Sequence, residues 1–195
     1  MLARVALPVA KGAEKGSAGS EVVWIAQARA QAVLGEHEVL DVKPGKALAG
    51  LRYQPLYSAD VPFVEPGAWT PDPQGLHAVY TAEYVTMEDG TGIVHQAAAY
   101  GVDDWEVARK HRLPIKQAVG AEGRLVCAVG EVAQGTFFKD ADEGLTEDLK
   151  RRGLLFRKAK DPHSYPHCWR CDTPLFYYAV PAWYLRTSAM KERMI

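Results

Sequence analysis

Five prolines between positions 55 and 73 (Pro55, Pro62, Pro66, Pro71 and Pro73), with Gly67 and Gly75 close by, keep that stretch out of any helix and out of any sheet interior. Each removes a backbone donor and pushes the residue before it into an extended conformation. Residues 58–76 are therefore expected to form a long irregular loop, of a length more often functional or mobile than merely connective. The apolar runs on either side are short. Val22–Ala26, Val39–Val42, His77–Tyr80, Tyr84–Thr86, Leu113–Val119, Arg124–Val129, Leu154–Arg157 and Leu175–Ala179 read as strands, with a turn at 120–123 joining two of them as a hairpin. Gln27–Leu34, Asp104 to about His111, and Asp140–Arg152 read as helices, followed by a last helix over Ala189–Ile195 capped by Thr187 or Ser188. Leu2–Ala10 is an apolar stretch, and residues 11–20 are a small, polar, glycine-rich segment expected to be a flexible loop. Helices that interrupt the strands without alternating regularly argue against a doubly wound parallel sheet. The expected fold is mixed α/β, mainly β: a closed or nearly closed β-barrel with peripheral helices.

Charge and motif content exclude several function classes. Twenty-three basic and 24 acidic residues give a net charge of −1, so no global field draws the chain to nucleic acid, and such contacts must be local. No apolar run approaches 18 residues and the N-terminus has no uninterrupted signal-type core, so the expectation is a cytoplasmic chain without a membrane partner. There is no Gly-x-Ser-x-Gly elbow, phosphate loop or dinucleotide fingerprint. Covalent catalysis by serine or cysteine has little support.

Most polar groups with plausible chemistry fall between Glu83 and Asp104. Gly90 and Gly92 flank Thr91, so a tight turn is expected to feed a short Ile93-Val94-His95 strand that ends on an imidazole. Ala97, Ala98 and Ala99 leave the backbone approachable, and Gly101 permits φ > 0 ahead of a helix. Asp103, followed three residues later by Glu106, has the spacing of a capping box, which places Asp104 in the first helical turn. A carboxylate there is stabilised in its ionised form by the unpaired amides of the helix start and suits a small cation. Aspartates at helix starts are usually only caps, and a histidine ending a strand is usually structural. It is the combination of Gly-Thr-Gly, His95, small residues and Asp-Asp that points to a pocket.

Cys168-Trp-Arg-Cys171, preceded by His163 and His167, has the spacing of half a zinc site. Two thiolates leave coordination positions to histidine, water or a second pair outside the chain; idle thiols are the alternative. Cys127 lies in an apolar run and reads as a buried small hydrophobe. The aromatic group Tyr165, Trp169, Phe176, Tyr177, Tyr178, Trp183 and Tyr184 reads as a small core or an interface, since no basic tract interleaves it.

Three segments together resemble the editing domain of isoleucyl-tRNA synthetase, the large insertion in a class I catalytic core. They are Asp89-Gly-Thr-Gly-Ile-Val-His95 with Tyr100-Gly101 and Asp103-Asp104, the block from His163 to Leu175, and Thr187-Ser-Ala-Met-Lys-Glu-Arg-Met194. The resemblance is good from about Gly45 to Ile195 and vague before Gly35. It implies a barrel fold and hydrolysis of valine wrongly attached to the isoleucine tRNA, with valyl-adenylate a second substrate. By position, Asp104 would hold the substrate's α-ammonium group and His95 would line the pocket near the amino acid and terminal ribose. Thr91, Gly92 and Tyr100 would contribute to substrate binding. Editing would need no cofactor, ATP being used only in the absent synthetic domain; zinc at Cys168 and Cys171 is the one metal expectation. The partners implied are the valine-bearing 3′ end of tRNA(Ile) and the remainder of the synthetase. The chain is expected to be a monomer: one editing domain over 1–195, cut from a longer chain, with a ribbon-like Cys-x-x-Cys turn over 161–175. The family usually has proline where Ala98 stands, and its threonine-rich strand has no counterpart here, Thr70, Thr81, Thr86 and Thr91 being isolated. The rival expectation is a module that only positions the tRNA end, or an inactive fragment.

Overall fold

The computed structural model describes residues 1–7, 22–58, 60–88, 90–159, 164–180, 182–183 and 185–194. The expected loop over 11–20, and His163, Asp89 and Tyr184, lie outside these described residues.

The N-terminal apolar stretch is the centre of a sheet. Strand β1 (Leu2–Ala6) pairs antiparallel with β2 (Val22–Ala26) on one side and with β3 (Glu38–Lys43) on the other. The side-chain period of two sorts its residues between two packed faces. Ala3 and Val5, opposite Ile25 and Val23, face helix α1 (Gln27–Leu34) and close a core with Ala30, Val33, Leu34 and Val42. Leu2, opposite Ala26, packs on the other face with Leu48, Trp24 and Val79. Burial on both faces explains why β1, apart from its exposed Arg4, reads as an apolar run instead of an alternating one. A bulge between Arg4 and Val5 shifts the β3 register, so that Arg4 opposes Asp41 while Val5 opposes Val39.

The proline-rich stretch is not a loose connection. Strand β4 (Phe63–Val64) pairs antiparallel with β5 (Ile115–Lys116), whose Ile115 is fully buried. Trp69 packs edge-on against Trp105 at 5.1 Å and donates its indole N–H to the Leu113 carbonyl at 3.0 Å. The Asp72 N–H reaches the Arg112 carbonyl at 2.7 Å. The stretch thereby wraps helix α2 (Val102–His111). That helix is stopped at Arg112, which adopts a left-handed conformation (φ 54°) and bonds back to the last turn. Helix α3 (Phe138–Arg151) lays Ala141 and Leu145 on Val119 and Leu125 of the expected hairpin and on Val132 beyond it, and a short helix α4 (Lys191–Met194) follows near the C-terminus.

Two small open sheets stand where a closed or nearly closed, mainly β barrel is expected, so that fold class is corrected. Closure needs each strand paired along both edges. Among the described residues β2 and β3 each pair only with β1, and β4 pairs only with β5. Among the described residues the runs at 84–86, 154–157 and 175–179 form no strand, and 77–80 contributes a single bridge, Ala78 to Arg52. Apolar content alone does not make a strand when no neighbouring edge is available. Leu154, Phe156, Leu175 and Tyr177 are all exposed. The aromatic group is likewise no sealed core, with Trp169 87% and Trp183 102% exposed. No helix among the described residues is long and apolar enough to cross a membrane.

Candidate functional site

The stretch from Gly90 to Asp104 is fastened to three parts of the fold. At its start, the Ala26 N–H donates to the Thr91 carbonyl at 2.7 Å, and Arg29 Nε reaches the Gly90 carbonyl at 3.3 Å. Gly90 and Gly92 have φ of 58° and 71°, where side chains are strained. Gly92 is required a second time: a Cβ there would stand 2.6 Å from the Ala26 Cβ. The Thr91 hydroxyl donates to the Ile93 carbonyl at 2.9 Å, which closes the turn on itself. The expected Ile93-Val94-His95 strand does not form. The three residues are exposed and belong to no strand.

Tyr100 anchors the other end. Its phenolic oxygen accepts from the Val119 N–H at 2.7 Å and donates to the Val119 carbonyl at 3.3 Å. Burial pushes its pKa up, partly offset by the bond from Val119. The Ala179 N–H donates to the Ala99 carbonyl at 3.1 Å, so the C-terminal segment crosses this loop.

Asp104 ties loop and helix together. Its Oδ2 accepts from the Ala97 N–H at 3.0 Å and its Oδ1 from the Tyr84 hydroxyl at 3.1 Å. Tyr84 in turn accepts from Gln96 Nε2 at 2.6 Å. Burial pushes the Tyr84 phenol up; Gln96 opposes this and the Asp104 carboxylate reinforces it, so the hydroxyl stays a donor at neutral pH. Asp104 is half-buried in the first turn of α2, as the sequence implies. Asp103 is not its cap. The helix begins one residue earlier, at Val102, with Gly101 as the N-cap and no side-chain cap bond. Gly101 itself has φ −138°, open to any residue, so its need for glycine is not conformational. A Cβ there would lie 2.9 Å from Asp104 Oδ2.

The structure therefore brings Asp104 and the His95 segment together: His95 is exposed beside Gln96, whose side chain reaches Asp104 through Tyr84. It commits the side-chain hydroxyls of Thr91 and Tyr100 to backbone partners. Sequence reasoning missed Tyr84 and Gln96. Tyr84 sits 20 residues before Asp104, and no periodic pattern links the two. A separate cleft among the described residues lies between Glu131, Val132, Gly144, Glu147, Asp148, Lys150 and Arg151.

The cysteine pair occupies a tight hairpin. The Cys168 N–H donates to the Thr173 carbonyl and the Asp172 N–H to the Cys168 carbonyl, each at 2.9 Å, and His167 bridges to Pro174. The Cys171 sulfur lies 3.1 Å from the Thr173 hydroxyl, which lowers its thiol pKa, with the Cys168 thiol contributing in the same direction. His167 has its Nδ1 against the Tyr165 carbonyl at 2.9 Å, leaving Nε2 as the ring nitrogen a metal could use. No group of three or more metal-ligating side chains converges among the described residues. Cys127 is half-buried.

Residues 68–141 match the family described as leucyl-tRNA synthetase, editing domain. The chain is also similar to curated isoleucine–tRNA ligases. The relative from Thermus thermophilus is 41% identical over 181 residues, 91% of this chain and 16% of the ligase. That from Streptomyces avermitilis is 54% identical over 123 residues, 63% of this chain and 12% of the ligase. That from Methanopyrus kandleri is 39% identical over 163 residues, 84% of this chain and 15% of the ligase. The chain thus spans about a sixth or less of these relatives.

Proposed function

Since the chain belongs to the editing domains of the isoleucine–tRNA ligase family, we propose that it hydrolyses the ester of valine wrongly joined to tRNA(Ile). One observation carries this reading. The family match over 68–141 encloses Thr91, Gly92, His95, Tyr100 and Asp104, and within it the half-buried Asp104 carboxylate is held by two donors on separate oxygens. The chemistry supplies the reason for such a site. An apolar pocket separates side chains differing by one methylene by only roughly 1–3 kcal/mol, a limit usually illustrated with this very pair of amino acids, so a second site must remove the smaller product.

In the proposed reaction a water molecule adds to the ester carbonyl carbon, and the tetrahedral adduct collapses with cleavage of the bond to the terminal ribose oxygen. The proton given up by the water ends on that oxygen, and free valine and tRNA leave. Asp104 holds the α-ammonium group. Each carboxylate oxygen accepts one bond from the protein and has a second lone-pair direction to offer. His95, exposed next to this group, faces the amino acid and ribose, while Thr91, Gly92 and Tyr100 keep the walls in place. Valyl-adenylate fits the same anchor, and the tRNA 3′ end and the rest of a synthetase are the partners. Cys168 and Cys171 form a zinc half-site outside this chemistry, and no step passes through a metal.

The test is deacylation of valyl-tRNA(Ile) and isoleucyl-tRNA(Ile) by this chain. The reading expects the valyl ester to be cleaved well above the buffer rate and the isoleucyl ester to be spared. A chain that binds tRNA(Ile) and cleaves neither would be a module that only positions the tRNA end.

A further inference from the structure

A carboxylate that must meet a cation in one direction has to be fixed about its last torsion, and one hydrogen bond does not achieve this. The backbone N–H of Ala97 holds Asp104 Oδ2 at 3.0 Å. Rotation about Cβ–Cγ would still be open if Oδ1 were free, but the Tyr84 hydroxyl holds it at 3.1 Å. The direction of that second bond is set by Gln96. Its Nε2 is a donor only, 2.6 Å from the phenolic oxygen, so the oxygen accepts from Gln96 and turns its proton to Asp104. Gln96 follows His95 directly, so the three side chains join the two halves of the candidate site.

We propose that Tyr84 is a positioning residue of the editing site, fixing the Asp104 carboxylate for the substrate ammonium group, and that Gln96 orients Tyr84. The proposal rests on the functional reading above. It assigns a task to a tyrosine that no motif in the sequence marks, and it separates two roles: Asp104 touches substrate, while Tyr84 and Gln96 act through it.

The variants Tyr84→Phe, Gln96→Leu, the double variant and Asp104→Asn would be compared by steady-state deacylation of valyl-tRNA(Ile), with a melting curve for each. Tyr84→Phe keeps the ring and removes the hydroxyl. It is expected to raise KM about tenfold, the scale of a hydrogen bond to a charged group, with kcat little changed. Gln96→Leu should raise KM by less, and should add nothing in the Tyr84→Phe background because its effect passes through that hydroxyl. An unchanged KM in Tyr84→Phe, or fully multiplicative effects in the double variant, would overturn the proposal. So would a fall in kcat that merely tracks a lower melting temperature. If Asp104→Asn cleaves normally, the functional reading itself fails; if Asp104→Asn is impaired and Tyr84→Phe is not, only the placement of Tyr84 fails.

Discussion

At the scale of single residues, two glycines in the same loop are required for different reasons, and substitution separates them. Gly92 is held at φ 71° with a Cβ position 2.6 Å from the Ala26 Cβ, so Gly92→Ala meets both backbone strain and a clash with the sheet. It should destabilise the fold by about 1–3 kcal/mol, read as a lower melting temperature. Gly101 has an ordinary φ of −138°, and its Cβ would meet only the Asp104 carboxylate, 2.9 Å away. Gly101→Ala should therefore turn that carboxylate out of place. Deacylation should fall about tenfold for a stability loss on the order of 1 kcal/mol, the scale of one lost hydrogen bond. The sequence identifies both glycines as special but assigns Gly101 a left-handed conformation it does not have. Close approach of a side chain three residues away, as Asp104 to Gly101, leaves no mark in composition. The same limit applies to Asp103. Its spacing to Glu106 fits a capping box, yet the helix starts at Val102 and uses Gly101 as its cap.

At the scale of elements, helix α3 is secured by a carboxylate buried on its inner face. Asp148 is 4% exposed and receives Arg151 at 2.5 Å and Arg152 at 3.1 Å, while Arg152 also donates to the Leu56 carbonyl at 2.6 Å and stacks over Tyr57. Burial alone would raise the Asp148 pKa. The bonds from Arg152, Tyr57 and Arg151 outweigh it, and the pKa lies below the ordinary 3.8. A depressed carboxylate pKa contributes stability that is present above the unfolded value and lost as the pH falls through the folded value. The difference in melting temperature between wild type and Asp148→Asn should accordingly be full near neutrality and close as the pH drops below 3.8. A difference independent of pH would contradict this account.

The hairpin around Cys168 and Cys171 is closed by backbone bonds at 166–175. Two thiols leave at least two coordination positions unfilled, so metal analysis should find zinc well below one per chain, with a melting temperature unmoved by chelator. Tight stoichiometric zinc lost on Cys168→Ser would contradict it. Elements with a strong local pattern were legible: Val22–Ala26, Gln27–Leu34 and the body of α3 stand where periodicity and caps put them. Strand β1 was not, because burial on both faces erases the alternation that marks a strand. The barrel was over-read from apolar runs whose partners the sequence does not specify.

At the scale of the whole molecule, the net charge of −1 leaves nothing to hold RNA at long range. Binding of tRNA by this chain should be weak, with Kd on the order of 10⁻⁶ M or above at physiological salt, and should weaken further as salt rises, following the few phosphates contacted. Filter binding across a salt series measures it; submicromolar affinity with a steep salt slope would reveal a basic surface that the composition conceals. The sequence marks the stretch that carries the candidate site more readily than the fold around it, for a physical reason. Asp104 and His95 lie within one short stretch whose chemistry survives any arrangement of the sheets, whereas the topology depends on pairings between distant segments such as 63–64 with 115–116. What the stretch could not disclose was its internal wiring through Tyr84 and Gln96. The central claim is that the Asp104 carboxylate anchors the substrate ammonium group of a misacylated tRNA. Its most direct test is the rate of valyl-tRNA(Ile) deacylation by Asp104→Asn beside Asp103→Ala, each with a melting curve. Asp104→Asn keeps an acceptor oxygen for one of its two donors and loses the charge; deacylation should fall at least about tenfold, with the melting curve showing that the chain stays folded. Asp103→Ala, an exposed first-turn residue that caps nothing, should edit normally and lose no more than about 0.5 kcal/mol. Normal editing by Asp104→Asn, or loss of editing in Asp103→Ala alone, would contradict the account.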